Sequence, residues 1–229
     1  MRIILLLLIV IISKGIASPT IYGPTGLIEM PTAESIAYKQ VNLAVDYSLT
    51  NNDPNNALNS NAKDPKNHFF YKFNLGSFEN WELGVLGGSF LDEGVFVNMK
   101  YFLMSNQEEN PLSIAAGIER LGSKSDLATY LVTSKRFSGG LHGHFGFKAF
   151  FQNNLFAAAM IGFEYFSDEK IAFLADITGE ENAKYIVNAG TKIFIENDIS
   201  LRLFLVDITK SREAKETLYT FGLSMSKYI

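Results

Sequence analysis

LHGHFGFKAFFQNNLFAAAMIGFEYF, residues Leu141 to Phe166, alternates in character at every second residue. One face of the first half is Leu141, Gly143, Phe145, Phe147, Ala149 and Phe151; the other is His142, His144, Gly146, Lys148 and Phe150. After Gln152-Asn153-Asn154 the alternation resumes, with Leu155, Ala157, Ala159, Ile161, Phe163 and Tyr165 set against Met160, Gly162 and Glu164. Period two means strand, and an Asn-Asn break between two such runs means a hairpin. Each run has about ten residues, the length a tilted strand needs to cross a bilayer. One face is apolar and the other carries Gly, His, Lys and Glu, the pattern of a barrel with lipid outside and a polar interior.

The same pattern extends outward along the chain. Candidate strands fall near 40–49, 68–77, 80–90, 94–103, 111–121, 128–137, 141–152, 155–166, 170–177, 185–195, 199–207 and 217–228. The fold expected is therefore all-β: an antiparallel transmembrane β-barrel of about twelve strands. An even count leaves both termini on the periplasmic side, with long connections such as 50–67 outside and short turns such as Ser138-Gly139-Gly140 inside. Aromatic residues gather toward strand ends, among them Trp81, Phe90, Tyr101, Phe137, Phe151, Tyr165, Tyr185, Tyr219 and Tyr228, as rings at two membrane interfaces would.

Composition agrees with one large domain. Of 229 residues, 47% are hydrophobic and 19 are Phe, yet the sole continuous apolar run is at the N-terminus, which excludes a helical membrane protein. The absence of Cys excludes a disulfide scaffold and a lipid-anchoring cysteine. Arg2, the apolar run Ile3–Ile12 and the small residues up to Ala17 read as a secretory signal, residues 1–17, cut after Ala17. Losing Arg2 and Lys14 with it leaves 18 basic against 24 acidic residues. An acidic chain without a basic patch excludes nucleic acid as a partner.

Residues 18–39 precede the first strand and the barrel itself takes 40–229. Pro19 to Ala33 is rich in Gly and Pro, lacks alternation and is expected to be irregular. Leu27, Ile28 and Met30 disfavour exposure, Gly23 and Gly26 permit tight bends, and Pro24 and Pro31 stiffen the segment. Two readings stand: a linker without a fixed place, or a segment that folds into or across the periplasmic mouth, where Glu29 meets a lumen base. The run Gly23-Pro24-Thr25-Gly26-Leu27-Ile28-Glu29-Met30-Pro31-Thr32-Ala33 resembles the G-x-T-G-L-[IL]-x-x-P-[TS]-A opening of the YjbH-type outer-membrane barrels. The resemblance implies an outer-membrane component of exopolysaccharide export or assembly, with polysaccharide and periplasmic export proteins as partners. Leu218 to Tyr228 similarly resembles the C-terminal assembly signal of outer-membrane barrels, implying the barrel-assembly machinery as a partner, although Ile229 follows the aromatic residue.

In the polar phase most strands supply one charge. The acids are Asp46, Glu82, Glu119, Glu164 and Asp176; the bases are Lys72, Lys100, Lys148, Lys192 and Arg202, with His144 in the same phase. Lys135 and Arg136 lie in a stretch too evenly mixed to phase. Five acids against five bases form a balanced lumen, unlike the single-sign rings of an ion-selective pore. This set serves either as a structural network filling a narrow barrel or as the lining of a hydrated path.

His68, His142 and His144 are the candidates for catalysis, but no motif places a Ser or Asp to work with them. A lumen His hydrogen-bonded to a carboxylate such as Glu164 is the simpler reading. No spaced ligand set marks a metal, and neither a cofactor nor an enzymatic activity is expected. Two other functions fit the strand pattern: a small general channel or structural barrel without specific cargo, and a soluble periplasmic lipocalin-like barrel with its apolar face inward around a lipid.

Overall fold

The computed structural model describes residues 18–34, 36–50, 68–89, 94–104, 112–123, 127–151, 155–180, 184–196, 198–212 and 216–229. The signal reading at residues 1–17, most of the 50–67 connection and Phe90 lie outside them. Twelve antiparallel strands follow in chain order: β1 Gln40–Thr50, β2 His68–Phe78, β3 Trp81–Gly88, β4 Phe96–Met104, β5 Leu112–Leu121 and β6 Ala128–Arg136. Then come β7 Leu141–Phe151, β8 Leu155–Phe166, β9 Ile171–Glu180, β10 Lys184–Glu196, β11 Ile199–Val206 and β12 Leu218–Tyr228. Each strand pairs with its chain neighbours, and β1 closes on β12 from Gln40↔Tyr228 to Thr50↔Leu218, so no edge is left unpaired. The chain enters and leaves the barrel at one end, here the terminal mouth; the β11–β12 connection lies at the other, the loop mouth.

The Leu141–Phe166 stretch is the β7–β8 hairpin, in register from Leu141↔Tyr165 to Phe151↔Leu155. Its parity is that of the sequence. Phe145, Phe147, Ile161 and Phe163 are exposed on the outer face, whereas His144, Lys148, Met160 and Glu164 are buried within. The rest of the outer face matches, with Leu43, Val45 and Tyr47 on β1, Leu201, Leu203 and Leu205 on β11, and Phe221, Leu223 and Met225 on β12 all exposed. The lipocalin-like expectation is corrected here, since the outer face of the wall is apolar while its charged side chains point in. β6 acquires a phase: Tyr130, Val132 and Ser134 are buried inside, while Leu131 and Lys135 are exposed outside.

Among the described residues the lumen is filled by the chain's own N-terminal segment. Every residue from Ser18 to Ala33 is buried except Tyr22, which is half-buried. The segment is irregular, as its Gly and Pro content dictates, and folds on itself through the bridges Pro19↔Thr25 and Gly26↔Pro31. Ile21 N donates to Ile28 O at 2.8 Å, and Gly26 N to Ser18 O at 2.9 Å. A Cβ on Gly26 would stand 2.2 Å from Met30 O, so only glycine lets the two arms of this fold approach.

Two apolar clusters seat the segment. Ile21, Leu27 and Ile28 pack with Phe70, Leu86, Phe96, Leu174, Phe204 and Val206; Met30 and Ala33 pack with Phe102, Ala115, Tyr130, Val132 and Met160. Leu27, Ile28 and Met30 are at most 1% exposed, and each contributes about 1.5–3 kcal/mol by leaving water. Gly162 on β8 makes room for them, since a Cβ there would stand 2.3 Å from Leu27 Cδ1.

Candidate functional site

The candidate site is the lumen wall where it meets this segment. An irregular chain inside a barrel has no strand partner for its backbone, and each unmet buried N–H or C=O is costly. Polar side chains of the wall take the partner's place. Asp176 Oδ2 accepts from three consecutive amides, Ile28 N at 2.8 Å, Glu29 N at 2.9 Å and Met30 N at 3.2 Å. Glu82 accepts from Thr25 N at 2.8 Å and from Thr25 Oγ1 at 2.5 Å. Lys100 Nζ donates to Thr25 O at 2.8 Å, to Thr32 O at 3.1 Å and to the Thr25 hydroxyl. Arg202 Nη1 donates to Pro19 O at 2.5 Å, Lys192 Nζ to Gly26 O at 3.5 Å and Asn74 Nδ2 to Gly23 O at 2.7 Å. At the terminal mouth Ala33 N donates to Ser134 Oγ at 2.8 Å.

All ten charged residues phased inward from the sequence are buried, as is His144. Most pair along the wall, between adjacent or next-but-one strands. Asp46 takes Lys72 and also Arg202, the latter at 2.5 Å. Lys148 meets Glu119 at 2.7 Å, Lys192 meets Glu164 at 3.2 Å and Lys100 meets Glu82 at 3.3 Å. Because Asp46 takes two bases, Asp176 is left to the segment's amides and to Asn188 Nδ2 at 2.6 Å. His144 Nδ1 shares a hydrogen bond with Ser134 Oγ at 2.8 Å rather than with a carboxylate. His142 Nδ1 stands 3.8 Å from Glu164 Oε2, beyond hydrogen-bond reach, so the expected His–Glu164 bond does not form.

Glu29 does meet a base, but not at the terminal mouth. Its Oε1 lies 2.7 Å from Arg212 Nη2, in the β11–β12 connection at the loop mouth, and its Oε2 accepts from Asn188 Nδ2 at 3.3 Å. The segment thus runs the length of the lumen, because Leu27, Ile28 and Met30 find apolar walls only inside it. Arg212 is delivered by Asp207, which accepts from Ser211 N at 2.8 Å and Arg212 N at 2.9 Å. Arg212 also donates to Tyr22 Oη at 3.0 Å, and the Arg120 guanidinium lies 4.6 Å from the Tyr22 ring centroid, within cation–π range. Arg120 holds φ +56 beside a shift of register between β4 and β5, which turns both Glu119 and Arg120 inward.

At the terminal mouth Glu34 Oε1 lies 3.2 Å from Arg136 Nε and 3.1 Å from His142 Nδ1. Burial would push the Glu34 carboxyl up, but contact with His142 and the charges of His144 and Arg136 outweigh it and hold its pKa at about 2. Parity turns Asn74, Asn98 and Asn188 inward with Lys72, Lys100 and Lys192 but gives no reason to single them out. Asn98 Nδ2 donates to Tyr22 O at 3.2 Å. Ser134 lies in the stretch too mixed to phase, and Glu34 and Arg212 lie outside the strands. The available signal was apolar inward residues, Phe70 and Phe204 among them, which an empty polar lumen has no reason to hold.

No family model matches the sequence, and no curated protein matches it. Among solved structures the fold is similar to a protein described as "KdgM porin", with a TM-score of 0.59 and 12% identity over 82% of this chain and 99% of that one. A second, described as the NanC porin, gives a TM-score of 0.50 and 8% identity over the same shares. These likenesses show the fold: a closed twelve-strand antiparallel barrel of the architecture found in porins.

Proposed function

We propose that this protein is an outer-membrane β-barrel that its own N-terminal segment keeps closed, a small channel shut in the state described. The membrane placement is supported by the apolar outer face and by two rings of exposed aromatic residues. Phe137, Tyr165 and Tyr228 stand toward the terminal mouth; Phe151, Tyr185 and Tyr219 stand toward the loop mouth. A chain so placed, with its terminal mouth toward the periplasm, meets lipid on the face that water would otherwise cover. The observation that carries the closure is the seating of Leu27, Ile28 and Met30 inside the wall, with Asp176 capping their amides. The wall charges then act as partners of the segment rather than as the lining of an open path. They catalyse nothing in this reading.

The narrower form of the proposal takes its cargo from the motif resemblance, an exopolysaccharide. Once the segment leaves, Asn74, Glu82, Lys100 and Asp176 present the donors and acceptors that a hydroxyl-rich polymer requires. The test is conductance in planar bilayers, using protein extracted by detergent from the outer-membrane fraction. The parent is expected to show no steady steps, and a form lacking residues 18–37 to show them. Steps of equal size in both forms would remove the closed-channel reading, and recovery of the parent in the soluble periplasmic fraction would remove the membrane reading.

A further inference from the structure

We propose that Glu34, His142 and Glu164 bind one divalent transition-metal ion, which fastens the N-terminal segment to the barrel wall at the terminal mouth. The inference rests on the plugged-lumen reading, because Glu34 belongs to the segment while His142 and Glu164 belong to β7 and β8. One ligand atom from each of the three lies within 4.8 Å of the others. His142 Nδ1 stands 3.1 Å from Glu34 Oε1 and 3.8 Å from Glu164 Oε2. Metal–ligand bonds of about 2.0–2.2 Å in a tetrahedral shell put neighbouring ligand atoms roughly 3–3.5 Å apart, so an inward shift of these three side chains would supply three of the four positions and leave the fourth to solvent.

A second observation points to an ion rather than a proton. The Nδ1 of His142 is buried and aligned for a hydrogen bond with neither carboxylate. Two residues along the same strand, His144 is 3% exposed and its Nε2 is buried with no partner. An orphaned buried polar atom calls for an explanation, and a bound ion is one. A buried imidazole nitrogen without a hydrogen bond, beside two carboxylates, is what a neutral-imidazole metal site leaves when its ion is removed.

The charge balance permits it. Lys192 occupies Oε1 of Glu164 at 3.2 Å and leaves Oε2 facing His142. Arg136 holds Glu34 at 3.2 Å, but its side chain is 45% exposed, so the contact is weak and can be surrendered to water. One imidazole with two carboxylates suits zinc and its first-row neighbours and disfavours magnesium. Positions 34, 142 and 164 are too far apart in the chain for any spacing motif to show the set.

The test uses untagged full-length barrel, stripped with a chelator and titrated calorimetrically with zinc chloride, then with magnesium chloride. One zinc per chain is expected, with no magnesium uptake. Binding should be lost in Glu34→Gln and in His142→Gln. It should be tighter in Arg136→Gln, which removes the competing cation; a merely structural cluster would gain nothing from that change. Heat-modifiable migration on gels confirms that each variant is folded. No zinc uptake by the parent, or equal uptake by parent and both ligand variants, overturns the proposal. Protease digestion of the same samples separates the two readings. A protected segment without zinc uptake removes the ion alone, whereas a segment cleaved with and without zinc removes the plug as well.

Discussion

Asp176 shows how far a single residue could be read and where the reading stopped. Its parity on β9 places it in the lumen, and parity needs only the period of a strand. Its three amide partners belong to a segment more than 140 positions away, which no period encodes. The same limit explains Lys135 and Arg136. Tyr130 and Val132 turn inward against Met30 and Ala33, and an apolar guest makes inward apolar residues favourable, which erases the alternation of β6. Replacing Asp176 with Ala leaves several donors unmet, each costing about 1–3 kcal/mol. Local opening of the segment should therefore become easier by about 3 kcal/mol, roughly a hundredfold. Hydrogen exchange at the Ile28, Glu29 and Met30 amides reads this directly. Asp176→Asn, which keeps an acceptor oxygen, should show a smaller rise. Unchanged exchange in both would mean that the carboxylate does not hold the segment.

The elements were legible to different degrees. Strands were, because each has an apolar outer face fixed by alternation; their ends moved by up to three residues, as at β9, where nothing in the side chains marks where pairing stops. The N-terminal segment was legible as something that should not stand in water, and one of its two readings took it into the periplasmic mouth; its depth, up to Arg212 at the loop mouth, was not legible. The segment has neither period, and its place is set by the shape of the wall. Its own requirements are sharp nonetheless. Changing Gly26 to Val brings side-chain atoms against Met30 O, and changing Leu27 to Asp puts a charge among Leu86, Phe204 and Val206. Together these cost several kcal/mol and should expel the segment. Limited proteolysis is expected to remove it quickly from the double variant and slowly from the parent, with heat-modifiable migration retained in both. Equal cleavage rates would return the segment to the status of a linker.

For the whole molecule, the inward charges admitted both a filled barrel and a hydrated path, and the described chain takes a third arrangement. The wall pairs most of its charges, and several of the paired groups, together with Asp176, also bond a guest that brings its own apolar surface. A balanced lumen suits this, since a peptide backbone presents donors and acceptors in equal number. The absence of Cys from the chain makes the claim simple to test, because one introduced cysteine is the only thiol. Ile28 is wholly buried within the lumen, whereas Tyr38, on the same N-terminal segment at its exit from the barrel, is 54% exposed. A membrane-impermeant maleimide should label Tyr38→Cys within the dead time of hand mixing, and Ile28→Cys only after the barrel is unfolded. Labelling of Ile28→Cys in the folded barrel at the rate of Tyr38→Cys would contradict the closed lumen.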